Sequence, residues 1–158
     1  MSSQSLFARV RGKFFHYYFL AKRPMTLGVR AMVLNETENS VFLVRHTYVP
    51  GWYLPGGGVE RNETFRQALA KELQEEGNIA LSGEPHLFNI YFNSRASIRD
   101  HVALFVVRAF DQTAPRQPDK EIAETGFFAI DRLPDGTTAS TKRRLAEVLN
   151  GHPVEEHW

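Results

Sequence analysis

Three glutamates, Glu72, Glu75 and Glu76, stand at spacings of three and four in a segment that reads as a helix. Those spacings place them on neighbouring positions of one face. Bare like charges there repel, so a fold that keeps the helix must leave the face in water or set something positive among the carboxylates. A divalent cation is the natural partner, because hard ions such as magnesium and manganese prefer carboxylate oxygens. Just ahead lies Gly56-Gly57-Gly58, a turn in which bare backbone can approach a ligand closely. A glycine loop feeding a carboxylate helix suits a metal-bridged phosphate.

The helix has its own start and stop signals. Thr64 with Gln67 makes a capping box, Phe65, Leu69 and Leu73 form an apolar stripe, and Gly77-Asn78 supplies the left-handed end. Strands are expected at Leu27 to Leu34, Val41 to Arg45, Leu87 to Phe92, Val102 to Phe110 and Gly126 to Ile130. Thr113 to Lys120 reads as a loop, Thr138 to Leu149 as a final helix, and the segment after it as a loose tail. Helices and strands alternate without repeats, which predicts one mixed α/β sandwich.

The stretch Gly57 to Ile79 resembles the Nudix box. That box is a glycine, five residues, a glutamate, seven residues, then Arg-Glu-apolar-x-Glu-Glu-x-Gly-apolar. Gly57, Glu63, Glu72, Leu73, Glu75, Glu76 and Ile79 all fall at its spacings, and Leu54-Pro55-Gly56-Gly57-Gly58 is similar to its usual lead-in. Two positions depart from it: Lys71 replaces the arginine, and Asn78 replaces the glycine. Lysine keeps the charge but loses the rigid two-pronged geometry. Asn78 can adopt the same left-handed backbone.

The resemblance implies an α/β/α sandwich with a mixed β-sheet over residues 25–151, to which the residues themselves add an extra N-terminal amphipathic helix over 1–24 and a tail over 152–158. It implies that Glu72, Glu75 and Glu76 bind magnesium or manganese, with Gly57 in the same metal site, and that Glu63 is structural and positions Lys71. A further acid is expected from the loop before the late aromatic strand, Glu121 first and Glu124 second. Glu76 or Glu121 would take the proton from an attacking water. The implied activity is metal-dependent hydrolysis of a diphosphate linkage in a nucleoside diphosphate derivative. The alternative is a nucleotide-binding or regulatory module of the same fold with little or no turnover. Arg45, Trp52 and Tyr53, beside the glycine passage, are the candidates for substrate contact.

Composition removes several other chemistries. The chain has 158 residues and no cysteine, so a disulfide framework, a thiolate zinc site and a cysteine nucleophile are excluded. None of its six histidines shows a zinc spacing, although His46 lies beside the glycine passage. No nucleophile elbow accompanies Ser94. A net charge of +1 gives no argument for DNA. No apolar run approaches the ~20 residues of a membrane span, and a reducing cytoplasm is the default location. Charge is nonetheless uneven, with no acid before Glu36. The segment Ser5 to Ala21 repeats Phe7, Val10, Phe14 and Tyr17 at helical spacing. That face calls for a packing surface on the domain or a homodimer, with RNA or a membrane surface as the competing reading.

Overall fold

Strands that are apolar on both faces belong in the middle of a sheet covered on both sides. Two segments have that character. In β1 (Thr26–Asn35) Val29, Ala31, Met32 and Val33 are wholly buried, and in β5 (Asp100–Val107) every residue from Val102 onward is buried. They pair in parallel from Thr26↔Asp100 to Val33↔Val107. The computed structural model, which describes residues 17, 18 and 21–158, builds the remaining elements around this pair. They are β2 (Ser40–His46), α1 (Phe65–Gly77), β3 (Ile79–Leu81), β4 (His86–Phe92), β6 (Phe110–Gln112), β7 (Ile122–Ala129) and α2 (Ala139–Asn150). The main sheet runs β4-β5-β1-β2-β7, antiparallel except at β1–β5, and β3 pairs with β6 apart from it.

Side-chain alternation divides the core. Val29, Ala31 and Val33 meet Phe42 and Val44 of β2 and Ala68, Leu69 and Leu73 of α1. Met32 and Leu34 point the other way, toward Leu43, Trp52, Leu54, Tyr91 and Leu145 of α2. The result is the expected mixed α/β sandwich, a sheet with one helix on each face. Thr64 and Gln67 form the reciprocal capping box of α1, and Asn78 ends the helix at φ 50°, as the sequence implied.

Two of the expected strands change, and one expected helix lies mostly outside the described residues. The run Val102 to Phe110 is two strands, because the chain is exposed at Arg108 and Ala109 and Phe110 then pairs with Leu81. That partner, β3, is too short to show a periodicity of its own. The last strand starts at Ile122, four residues earlier than Gly126, since Ile122 to Thr125 pair with the end of β2. The helix expected over Ser5 to Ala21 lies mostly outside the described residues; Tyr17, Tyr18, Ala21 and Lys22 have helical backbone. Among the described residues no helix is long and apolar enough to cross a membrane.

The tail is not loose. Phe92 N–H donates to the Glu156 carbonyl (2.9 Å) and Trp158 N–H to the Phe92 carbonyl (3.1 Å), so the segment runs parallel along the edge of β4. Its anchor is Arg144 of α2, a guanidinium with no exposed surface. Arg144 lies 2.7 Å from Glu147, donates to the His157 carbonyl at 3.0 Å, and sits 4.0 Å over the Tyr91 ring. Tyr91 donates its hydroxyl to the second Glu147 oxygen (2.7 Å). Removing the cation would strand Glu147 in the core, and breaking such a pair costs about 3–5 kcal/mol. Arg144→Ala should therefore lower the unfolding free energy in urea by that amount. A loss of under ~1 kcal/mol would show that the buried cation is not what fixes the tail.

Candidate active site

The glycine loop is spliced into the sheet. β1 and β2 pair only at Leu34↔Val41 and Asn35↔Ser40. Beyond that they part, and the segment from Tyr53 to Val59 enters the gap. Tyr53 exchanges both backbone hydrogen bonds with Val44 (2.9 Å each), Ala31 N–H donates to the Pro55 carbonyl (2.9 Å), Val29 N–H to the Gly57 carbonyl (2.9 Å), and Val59 N–H to the Leu27 carbonyl (2.8 Å). Gly56 has φ 139°, and a Cβ there would lie 2.1 Å from the Val29 carbonyl oxygen, so only glycine fits. A Cβ on Gly57 would lie 2.4 Å from Glu72 Oε1, so the Glu72 carboxylate fills the space a side chain would need.

Glu76 stands one turn further along α1 and is 8% exposed. Its Oε2 accepts the Gly56 N–H at 2.7 Å, and its Oε1 faces His46 Nε2 at 3.6 Å. Burial raises the Glu76 carboxyl to about 7, with Glu72 and Glu75 adding to the rise and the Gly56 N–H and Arg30 opposing it. Burial also raises Glu72. Burial and the Arg30 charge lower His46. The Glu76–His46 contact therefore brings together two groups whose charged forms burial disfavours. Arg30 reaches the cluster through the backbone, donating to the carbonyls of Leu54 (3.0 Å) and Gly56 (2.5 Å).

The other predicted residues fall into distinct places. Glu63 accepts the Glu60 N–H (2.9 Å) and lies 3.4 Å from Lys71 Nζ, and these neighbours hold its carboxyl below the usual range. Glu75 is exposed, its carbonyl accepting from Arg116 Nε at 2.7 Å. Arg116 also pairs with Asp119, whose Oδ1 accepts the N–H groups of Glu121 (2.9 Å) and Ile122 (2.8 Å). Thr47 N–H then donates to the Glu121 carbonyl (2.9 Å), which sets Glu121 at the His46 end of β2. Glu124 is elsewhere, in a 2.6 Å pair with Arg45. Trp52 is 6% exposed, packs on Phe128, and carries the Arg45 guanidinium 5.4 Å from its ring centre; it is largely core. Tyr53 donates its hydroxyl to the Pro50 carbonyl (2.8 Å) and remains half-buried.

Sequence reasoning passed over Arg30, and of the six histidines it singled out only His46, for its place beside the glycine passage. Arg30 had a signal: a cation inside the apolar run Val29-Arg30-Ala31 needs buried acceptors. Gly57, expected in the metal site, borders Glu72 with its Cα, and its carbonyl accepts from Val29.

The donor set suits a hard cation. Glu72 and Glu76 are carboxyls whose burial penalises negative charge, and a divalent ion would relieve that penalty. Among the described residues no three acidic or imidazole side chains already converge on one point. A third carboxylate would have to swing in from Glu75 or Glu121, both on exposed side chains. Two cavities border the 47–54 segment. One, about 550 Å³, is lined by Arg45, His46, Tyr48 and Trp52, and the other, about 580 Å³, by Arg30, Tyr53, Arg95 and Ser140.

The family model for the NUDIX domain matches residues 24–149. A protein of Bacillus subtilis (strain 168), provisionally named an 8-oxo-dGTP diphosphatase, is 30% identical over 131 residues, 80% of this chain and 81% of its own. The 8-oxo-dGTP diphosphatase of Proteus vulgaris is 43% identical over 54 residues, 32% of this chain and 48% of its own. Among solved structures, the MutT NUDIX hydrolase from Burkholderia pseudomallei superposes with a TM-score of 0.66 at 26% identity, covering 78% of this chain and 97% of that one.

The raised Glu76 carboxyl gives a signed pH dependence. Below 4.5 the group is protonated in both folded and unfolded chains. Between 4.5 and about 7 the unfolded chain loses its proton first, so metal-free stability falls and stays lower above that range. Glu76→Gln cannot ionise. In chelator it should gain stability over the parent as pH rises from 4.5 to 8, by up to roughly 3 kcal/mol. Parallel pH profiles for the two proteins would contradict this.

Proposed function

Since the chain belongs to the Nudix family of pyrophosphohydrolases, which act on acid anhydrides, we propose that it cleaves the diphosphate linkage of a nucleoside diphosphate derivative by attack of water on phosphorus. The observation that carries this reading is the seating of Glu72 and Glu76 under glycine backbone that has no side chains to block a phosphate. Both curated relatives are named for 8-oxo-dGTP, which supports trying an oxidised deoxyguanosine triphosphate first.

Glu72 and Glu76, joined by Glu75, would hold magnesium or manganese. The bound ion would neutralise phosphate oxygens and acidify the attacking water. Gly56 N–H fixes one Glu76 oxygen, and the other, 3.6 Å from His46 Nε2, would bind the ion. With that oxygen engaged, the proton of the water goes to Glu121, which is exposed and set at the His46 end of β2 by Asp119 and Thr47. Glu63 holds Lys71 at the start of the cluster. Arg30 fixes the Leu54 and Gly56 carbonyls and adds positive potential toward the anionic substrate. The bridging P–O bond breaks, releasing a nucleoside monophosphate and the remaining phosphate-bearing group.

A magnesium-supplemented nucleotide panel tests the reading. On whichever substrate is turned over, Glu76→Gln should cut kcat by about two orders of magnitude or more with the fold retained, since it removes charge at nearly constant shape. Parental turnover in that variant, or full activity in excess chelator, would falsify the assignment. Lys71→Arg should leave kcat equal or higher, because the fork can bind Glu63 with two hydrogen bonds. A large loss there would give the lysine a role of its own.

A further inference from the structure

The 580 Å³ cavity is the right size for a nucleoside, and one of its walls comes from far along the chain. Arg30 reaches it from β1, Tyr53 and Leu54 from the segment ahead of the glycines, Asn93 and Arg95 from the loop after β4, Ser140 from the start of α2, and Trp158 from the tail. Arg30 links this cavity to the chemistry: it donates to the Gly56 carbonyl, and the N–H of the same glycine holds Glu76.

Trp158 is not there by default. Backbone pairing with Phe92 sets its position, Arg143 donates to its carbonyl (3.1 Å), and Arg144 donates to the carbonyl of His157 (3.0 Å). Glu155 N–H donates to Glu147 at 3.1 Å. Tyr91 meets the indole edge-on at 5.5 Å from the core side. Arg144 stands over the same indole at 5.6 Å, and Trp158, half-buried, lines both this cavity and a neighbouring one of about 350 Å³ beside Phe92 and Arg143. A rigidly held, partly wet indole at the wall of a nucleoside-sized cavity suits a flat aromatic ligand. Asn93 and Ser140 offer hydrogen bonds to its edge. Arg95 has no ion-pair partner among the described residues and is available to phosphate.

We propose that Trp158 is a specificity-determining residue that stacks on the nucleobase of the substrate, presented by the strap formed by residues 155–158. The proposal rests on the nucleotide reading above and adds which cavity takes the base and what holds it there.

The chain has two tryptophans, and Trp52 is 6% exposed, so emission can be assigned by one substitution. In chelator, guanosine monophosphate should saturably quench the parent's fluorescence, while ribose 5-phosphate, which has no base, should not. Trp158→Phe should abolish that quenching and leave Trp52 emission unchanged. In turnover with magnesium, Trp158→Ala should raise KM about tenfold or more, the loss of one base stack, with a smaller effect on kcat, and Trp158→Phe should restore most of the affinity. Undiminished quenching in Trp158→Phe would overturn the proposal, because the base would then lie by Trp52. So would a parental KM in Trp158→Ala. The quenching comparison stands even if Trp158→Ala does not fold. If the parent turns over no nucleotide, the functional reading fails, and quenching by guanosine monophosphate still decides the stack.

Discussion

The hydrogen bond from Gly56 N–H to Glu76 joins the two halves of the site, and most of the surrounding structure serves to make it possible. It needs a backbone amide pointing at a helix from within a sheet. The parting of β1 and β2 supplies the gap, and Pro55 and Gly57 fill it by accepting from the exposed edge of β1. It also needs a residue that tolerates φ 139° against the Val29 carbonyl, which leaves glycine. The bond keeps a buried carboxyl partnered whether or not a cation is present. That is how Glu72 and Glu76 can persist on the same stripe of the helix that carries Leu69 and Leu73 into the core.

The fold and half of the site were legible in the sequence for one reason: both depend on local patterns. The capping box, the Asn78 end and the acidic spacing are read within a few residues, and each has its expected counterpart in α1. What was missed depends on distant partners. β3 is three residues long and exists because Phe110 returns to it. The tail looked loose because nothing within it announces Arg144, a cation that becomes buried only when Tyr91, Glu147 and the His157 carbonyl surround it. Trp52 looked like a ligand-facing aromatic until Phe128 closed on it from another strand. Composition near the glycines could not distinguish Trp52 from Tyr53; their alternation along the 47–54 segment does, since Trp52 packs in the core with Leu54 while Tyr53 turns toward His46.

The two faces of the sheet divide the labour. The face under α1 carries the carboxylates, whose burial makes them hungry for positive charge. The face under α2 carries the rigid aromatic and cationic packing of Tyr91, Arg144 and Trp158. Arg30 bridges them: its strand neighbours belong to the α1 core, and its guanidinium holds the loop that caps the acidic helix.

The sequence distances within this architecture differ sharply. Gly56 and Glu76 are only 20 residues apart, whereas Thr26 must find Asp100 across 74 and Tyr91 must find Glu147 across 56. Closing short loops is fast, and pairing remote parallel strands is slow. β1, β2, the glycine loop and the acidic helix thus lie in one stretch of chain that can assemble early, while β5, which completes the sheet, and the strap that frames its cavity arrive late. During synthesis the carboxylates would meet water before they meet the core, and the order of chain closure would determine when this protein first acquires a site.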